Sequence, residues 1–450
     1  MPLYSIKVKF LFFVLVLLTP FSSYSQSFDS KKIDAFFSVL DSNNKFMGSV
    51  ALLHKGNIVY SKSIGYSNVE KHIKNNDSTK YRVGSISKMF TAAMIFKAVD
   101  QGKISLDQTI DKYFPNFVFS NKIKIKDLLN HRSGLVNFSS IPNYEFYKTK
   151  KLTRAEFLDT LYMFGSERAP DQMSSYSNTN FVLLSYILQN IYTTPYHKLI
   201  QDSIITPLGL KNTFVGDTIH NELNEASSYI FDTIWKKQTE TNLYIPLGAG
   251  AIVSTPQDLN QFIAALFHHK IISPKSLNSM TIIIDKYGCG IFKYPYNDKT
   301  GYGHTGGIDG FSSFLFYLPE LELSLSFCSN GSNYDNNQIY YALLNHFFKK
   351  NIEIPSSSSL QSDYNERASY VGVYASLNFP YKLKITNATY FMIAQIEEDP
   401  AFSLNKVAKD IYRFEHLNIE VRFNTLNHSL IFVQNGHEYE FNKIASDTKN

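Results

Sequence analysis

The sequence predicts an α/β (α+β) fold, in which helices flank an antiparallel sheet and a smaller all-β domain follows. Three observations lead to this prediction. Strand patterns occur near both ends of residues 26–350, and the region between them is mainly helical. From residue 364 onward, short segments of alternating apolar and polar residues recur, as in small barrels or sandwiches.

The first 25 residues have the pattern of a secretory signal peptide. Lys7 and Lys9 precede an apolar run, and small residues surround the expected cleavage point after Ser25. The run is short of the ~20 residues that span a bilayer, so we expect no stable membrane span after cleavage. These features predict a periplasmic or secreted protein.

The overall composition is that of an ordinary globular protein. The 450 residues are 44% hydrophobic, and a net charge of +5 is too weakly basic to indicate nucleic-acid binding. Cys289 and Cys328 lie in apolar runs, where a disulfide bond or two buried free thiols would both fit. No spacing of histidines, cysteines and acidic residues indicates a metal site, and no cofactor is expected.

The large region at residues 26–350 opens with two predicted strands, 49–54 and 57–64, joined by a tight turn at Lys55-Gly56. An apolar helix follows Ser85 and ends near Gly102. Four further segments are predicted to be helical and alternate with turns: 105–115, 123–135, 153–163 and 180–192. Strands return in three segments before a last helix at 336–350: 287–294, 311–320 and 321–330.

A serine-rich stretch without periodicity predicts a linker at residues 351–363. Residues 364–450 are therefore expected to form a separate, small β-barrel-like domain. Its predicted strands are 381–386, 390–396, 418–424, 429–435 and 437–444.

The segment "YRVGSISKMFTAA", residues 81–93, places Ser85 and Lys88 three positions apart at the start of an apolar helix. Residues at this spacing share a helix face, so Lys88 could take a proton from Ser85. The pattern also occurs at Ser42 and at Ser446, where no apolar helix follows. A capping serine with a solvated lysine is the alternative interpretation, because serine is a favoured N-cap residue.

Two later segments contain the other candidate residues. In "SSYSNTNF", Tyr176 and Asn178 precede an apolar helix, and a phenol near an amide could relay protons and hold a carbonyl group. In "GYGHTGGIDGF", His304 and Thr305 lie among glycines, where backbone N–H groups can approach a ligand closely. The second segment also fits the dinucleotide-binding pattern, but it opens a strand rather than a helix, which argues against that function.

The order of these segments resembles the serine β-lactamase and penicillin-binding-protein-like hydrolases, in particular the class C or S12 peptidase branch. Three further segments of this chain resemble landmarks of that family: "LLNHRSGL", "PLGLKNT" and "GAIVSTPQDLNQF". The resemblance covers residues 28 to 350 and implies a β-lactamase/transpeptidase-like fold with an inserted helical subdomain. The module after residue 363 is similar to the lipocalin-like β-domain that some members carry.

The resemblance implies a role for each candidate residue. Ser85 would be the acyl-accepting nucleophile, Lys88 its base, and Tyr176 a proton shuttle to the leaving group. The other candidates would bind the substrate: Asn178, the sheet-edge residues His304 and Thr305, and the N–H groups of Ser85 and Gly307 as an oxyanion hole.

One departure from the family bears on the activity. His304 stands where β-lactamases typically carry lysine, which favours a DD-carboxypeptidase, D-aminopeptidase or esterase acting on a small-molecule or peptide substrate. A class C-like β-lactamase and a non-catalytic penicillin-binding sensor are the alternatives. We expect His304 to attract substrate carboxylates better at pH 6 than at pH 8, because free histidine titrates near 6.5. His131 precedes a turn, and we predict no function for it.

Overall fold

The computed structural model describes residues 28–141, 144–232, 234–355, 364–387, 392–397, 401–408, 410–414, 419–434 and 436–445. The predicted signal peptide and residues 356–363 of the predicted linker lie outside these ranges. Within the described ranges, no helix is both long enough and apolar enough to cross a membrane.

The helices and strands are numbered along the chain. The α-helices are α1 Lys31–Ser42, α2 Ser87–Asp100, α3 Ile125–Leu129, α4 Tyr144–Tyr147, α5 Arg154–Phe164, α6 Asn178–Tyr192, α7 Tyr196–Ile200, α8 Thr206–Leu208, α9 Pro256–Phe267, α10 Pro274–Thr281, α11 Asn336–Phe347 and α12 Tyr364–Tyr370. The strands before the C-terminal module are β1 Phe46–His54, β2 Asn57–Ile64, β3 Tyr66–Asn68, β4 Ile73–Lys74, β5 Tyr81–Arg82, β6 Phe214–Val215, β7 Tyr229–Asp232, β8 Ile234–Lys237, β9 Ile252–Ser254, β10 Phe292–Tyr296, β11 Lys299–Ile308, β12 Phe311–Leu318 and β13 Leu323–Ser332.

The main sheet has six antiparallel strands in the order β10-β11-β12-β13-β1-β2. The two ends of the region therefore meet in one sheet, as predicted. The predicted turn between β1 and β2 is confirmed: Lys55 and Gly56 have φ values of +51° and +77°, as in the two-residue turns that suit strand twist.

Helices cover both faces of this sheet. On β12, Phe314 and Phe316 join the apolar cluster formed with α1 and α11. Leu315 and Tyr317, which alternate with them, join the larger cluster that contains α2, α6 and α9. Because both faces are covered, β1 and β13 are buried along almost their whole length.

The predicted helices are confirmed at α2, α5, α6 and α11, and two others need correction. Residues 105–115 form turns rather than a helix, because the Ile110 N–H donates to Ile123 O at 3.0 Å instead of to its own segment. Residues 123–135 are helical only in α3, because His131 and Gly134 have φ values of +60° and +73° and reverse the chain.

The predicted strands at 311–320 and 321–330 are confirmed as β12 and β13, whereas the strand predicted at 287–294 begins only at Phe292. The glycine-rich segment that contains His304 lies in β11 and in the turn to β12.

The C-terminal module is a closed antiparallel barrel of eight strands. Its strands are β14 Gly372–Ala375, β15 Leu383–Asn387, β16 Met392–Ile396, β17 Phe402–Ala408, β18 Ile411–Phe414, β19 Ile419–Asn424, β20 Ser429–Gln434 and β21 His437–Ala445. All five predicted strands are present. Sequence reasoning missed β14, β17 and β18, two of which are four residues long and too short to show alternation. Apolar and aromatic side chains such as Met392, Phe423 and Phe432 pack together in one cluster.

Candidate active site

Ser85 lies in a 3₁₀ turn, Gly84–Ile86, that leads directly into α2. Gly84 has a φ of +50°, and a Cβ atom at this position would lie 2.8 Å from the Gly307 nitrogen. Only glycine therefore lets β11 pass this close to the turn. The turn leaves Ser85 partly exposed beside that strand.

Lys88 is completely buried, and its side chain has three polar neighbours. Its Nζ lies 2.9 Å from Ser85 Oγ and donates to Asn178 Oδ1 at 2.7 Å and to Ala249 O at 2.9 Å. Burial lowers the pKa of Lys88 well below its usual value. In the neutral amine, these two acceptors take both N–H bonds, and the lone pair is left to face Ser85 Oγ.

Tyr176 completes the contacts of the serine. Its Oη donates to Ser85 Oγ at 2.8 Å. Burial raises the pKa of Tyr176, and this effect outweighs the hydrogen bond with Ser85. The phenol therefore keeps its proton, and the serine hydroxyl lies between a proton donor and a proton acceptor.

Neighbouring polar side chains fix the orientation of Asn178. Its Nδ2 donates to Ser139 Oγ at 2.8 Å, and its backbone N–H donates to Asn137 Oδ1 at 3.0 Å. Its Oδ1 consequently faces Lys88. The structure thus brings together four of the predicted site residues: Ser85, Lys88, Tyr176 and Asn178.

Polar residues on α2 hold the chain that passes behind the lysine. Thr91 Oγ1 donates to Gly248 O at 2.6 Å, and Ser87 Oγ accepts from the Ile252 N–H at 2.9 Å. These bonds explain why buried positions of an otherwise apolar helix carry hydroxyl groups, and they position the carbonyl group of Ala249.

The predicted sheet-edge residues lie on the part of β11 beyond its pairing with β10. That pairing ends at Gly303 opposite Phe292, so the following residues of β11 pair with β12 alone. Thr305 is exposed, and Gly307 lines the cleft beside Ser85. Thr305 does not line the cleft, so of these two residues Gly307 alone borders the space above Ser85.

His304 has a different position from its neighbours. It is only 2% exposed and does not line the cleft; its Nδ1 lies 2.5 Å from Thr305 O, and its ring centroid 4.5 Å from that of Phe292. Burial and the nearby Lys88 lower the pKa of His304 to about 3. The expected gain in carboxylate binding at pH 6 is therefore wrong, because His304 is neutral at both pH 6 and pH 8.

The cleft above Ser85 has a volume of about 220 Å³ and a charged wall. Lys148 Nζ lies 2.5 Å from Glu145 Oε2 and 3.9 Å from Asp309 Oδ1. The buried Asp309 carboxylate also pairs with Arg82 at 3.2 Å. Sequence reasoning missed these four residues: Arg82 and Asp309 lie in the quoted segments beside the residues that drew attention there, and Glu145 and Lys148 lie in no quoted segment.

Sequence reasoning also missed His131, which is buried beside the tyrosine. Its ring centroid lies 4.4 Å from that of Tyr176 and 5.0 Å from that of Tyr287. Its position inside the "LLNHRSGL" segment was the one feature of the sequence that could have indicated a place near the site.

Cys289 and Cys328 are buried free thiols. Among the described residues, no three histidine, cysteine or acidic side chains could hold a metal ion together.

Comparison with known proteins agrees with this geometry. A family model described as Beta-lactamase matches residues 44–345. A teichoic acid D-alanine hydrolase from Staphylococcus aureus is 27% identical over 313 residues, which cover 67% of this chain and 74% of that protein.

Two solved structures are also similar. The D-amino acid amidase from Ochrobactrum anthropi SV3, complexed with D-phenylalanine, is 26% identical with a TM-score of 0.62, and the match covers 70% of this chain and 99% of the amidase. The octameric penicillin-binding protein homologue from Pyrococcus abyssi has a TM-score of 0.65 at 21% identity, covering 92% of this chain and 99% of that one, which supports the fold alone. The chain belongs to the β-lactamase family and is a serine hydrolase of that fold.

Proposed function

We propose that this enzyme removes D-amino-acyl groups, D-alanyl in particular, from esters or amides through an acyl-enzyme on Ser85. The observation that carries the proposal is the contact of Ser85 Oγ with both the Tyr176 phenol and a buried Lys88, whose pKa is lowered by burial. Relatives that act on D-alanine and D-amino acid amides support the choice of acyl group.

In the proposed reaction, Ser85 Oγ attacks the substrate carbonyl carbon while its proton passes to Lys88 Nζ. The N–H groups of Ser85 and Gly307 stabilise the negative charge that develops on the carbonyl oxygen. Tyr176 gives its proton to the departing alcohol or amine and regains one from Lys88. A water molecule then cleaves the acyl-enzyme, which releases the D-amino acid and restores Ser85.

The size and the charges of the cleft favour a small acyl group. Its volume of about 220 Å³ is below the ~300–1,000 Å³ of sites for drug-sized ligands. Lys148 links α4 to Asp309 and so forms one wall of the cleft. A neutral His304 in place of a lysine argues against a dedicated β-lactamase, since it provides no cation for the carboxylate of a β-lactam.

The proposal includes secretion. Residues 1–25 have the signal-peptide pattern described above, which would bring the enzyme to the cell envelope or the periplasm. D-alanyl esters and D-amino-acid peptides of the envelope are substrates of the appropriate chemistry. The domain boundaries, at 26–350 and 364–450, belong to the same proposal.

Intact-mass spectrometry of the mature protein tests the function. The protein is exposed to D-alanyl and L-alanyl esters, to the matching amides and to a penicillin. We expect a transient mass increase of one alanyl group with the D-alanyl ester, and none in Ser85→Ala. Faster turnover of the penicillin than of every D-alanyl compound would favour the β-lactamase alternative, and no adduct with any compound would favour the non-catalytic sensor.

A further inference from the structure

His131 lies in the bend that follows α3, in the left-handed backbone region with a φ of +60°. Few non-glycine residues adopt this conformation unless the surrounding structure imposes it. The side chain is 2% exposed, and in the part of the chain that the structure describes it forms no hydrogen bond with Ser85 or Lys88. It contacts the segment that carries Tyr176, and its ring also packs against Tyr287.

His131 accepts two hydrogen bonds, one from the residue before Tyr176 and one from the residue after it. Its backbone oxygen accepts from the Ser175 N–H at 2.7 Å, and its Nδ1 accepts from the Ser177 N–H at 3.1 Å. The imidazole ring packs against the Tyr176 ring, with 4.4 Å between centroids and 31° between planes. The residues before and after Tyr176, and the face of its ring, are thus all held by one side chain and its backbone.

The hydrogen bond to Ser177 fixes the chemical form of the imidazole. An Nδ1 that accepts a hydrogen bond carries no proton, so the proton of the neutral ring lies on Nε2. Burial, with smaller contributions from Lys88 and His304, lowers the pKa of His131 well below its usual value. The ring therefore remains an acceptor at neutral pH.

Hydrogen bonds also hold the residues that precede Tyr176, between Asp171 and Ser174. Arg132 Nε donates to Asp171 Oδ1 at 2.8 Å, and Asp285 Oδ2 accepts from the Ser174 N–H at 3.0 Å. These groups lie nearer the surface, and their bonds end two residues before the tyrosine. The backbone N–H groups of the two residues adjacent to Tyr176 both donate to His131.

We propose that His131 is a positioning residue that holds the Tyr176 phenol at hydrogen-bond distance from Ser85 Oγ. This inference rests on the proposed function, because it assigns His131 a role in the proton transfer through Tyr176. The residue touches neither substrate nor the reacting atoms. Its effect is transmitted by the backbone on either side of the tyrosine.

Three substitutions separate the hydrogen bond from the packing. His131→Asn keeps an acceptor at the same number of bonds from Cα as Nδ1, and asparagine tolerates a positive φ. His131→Phe keeps an aromatic ring but has no acceptor, and His131→Gln moves the acceptor one carbon away. His268→Phe, at the end of α9 and 43% exposed, is the matched control and should keep full activity.

We expect His131→Asn to retain kcat within about fivefold of the wild type. The phenylalanine and glutamine variants should lose about 10- to 100-fold in kcat with little change in KM, because a displacement of about 1 Å at a reacting group can cost 10²-fold. In a Tyr176→Phe background, the same substitutions at His131 should have no further effect, since the group they position is gone.

A merely structural role would give other results. His131→Phe would then lower thermal stability without lowering kcat, when kcat is calculated per molecule whose Ser85 can be acylated. Alternatively, its loss of kcat would add fully to the loss caused by Tyr176→Phe. Either outcome overturns the proposal. If His131→Phe does not fold, the kcat values of His131→Asn and His131→Gln test the proposal, and equal values overturn it.

The two proposals fail separately. If the wild type cleaves no D-alanyl compound, the proposed function is wrong, and the His131 variants are then compared by the rate at which a neutral aryl ester acylates Ser85. Equal acylation rates in all three variants and the wild type would overturn the role of His131 alone.

Discussion

Replacing Lys88 by methionine should change how the stability of the protein depends on pH. In the unfolded chain a lysine titrates near 10.4, whereas burial lowers the pKa of Lys88 well below that in the folded protein. Between these two values the unfolded state binds one proton more than the folded state. The free energy of unfolding of the wild type therefore falls as the pH falls through this window.

The expected magnitude follows from proton linkage. One proton of difference corresponds to about 1.4 kcal/mol for each pH unit. Lys88→Met lacks this proton, so its stability relative to the wild type should increase by up to about 1.4 kcal/mol for each unit that the pH is lowered within the window. The loss of the donors to Asn178 and Ala249 costs about 1–3 kcal/mol for each unsatisfied acceptor, but that cost does not depend on pH.

Urea unfolding of both proteins at pH 6, 7, 8 and 9 measures this difference. The matched control is Lys97→Met, on the same helix but outside the cleft, where Nζ bonds only to the Ser203 carbonyl among the recorded hydrogen bonds of the described chain. The hydrolytic rate of Lys88→Met should also fall by about 10²- to 10⁴-fold, as for a lost general base. If the stability difference between Lys88→Met and the wild type is the same at every pH, Lys88 is charged in the folded protein and cannot be the base.

Three further predictions concern other parts of the molecule. Gly84→Ala should destabilise the protein by about 1–3 kcal/mol in thermal unfolding and lower the acylation rate at least tenfold, because its Cβ would collide with Gly307; unchanged values would contradict the required close approach. His304, with a pKa of about 3, should contribute no titration to the ratio of rates for carboxylate-bearing and neutral esters between pH 5.5 and 8.5, and a His304→Gln variant should match the wild type in this ratio at every pH. A protein that ends at residue 355 should stay folded and active by circular dichroism and ester hydrolysis, because the barrel has its own apolar cluster; an insoluble product would show that the barrel completes the main domain.

Much of the fold could be predicted because alternation and helical periodicity report directly on burial. The near-continuous apolar run along β12 indicates a strand with both faces covered, and the mainly apolar sequence of α6 indicates a buried helix. The failure at residues 105–115 has a physical cause. Ile110 and Phe114 have helical spacing, but the backbone bonds to Ile123 in a neighbouring segment, and no local pattern reports such a partner.

The candidate site was predictable to the extent that its residues lie in local motifs. Ser85, Lys88, Tyr176 and Asn178 converge as the motifs imply. The charge of His304 was not predictable, because it depends on burial beside Lys88, which comes from a different segment. Lys148 and Asp309 meet only through the tertiary fold, so no spacing in the sequence indicates their contact.

The strongest sequence signal for function was a conflict between local pattern and physical chemistry. A lysine in an apolar helix is unfavourable unless contacts compensate for its burial. Here Asn178 and Ala249 accept hydrogen bonds from the amine, while the same burial lowers its pKa, as the proposed role of Lys88 as a base for Ser85 requires. The feature that destabilises the helix is thus the one proposed to activate the serine, and this is why Lys88→Met should lower the hydrolytic rate while raising the stability relative to the wild type as the pH falls.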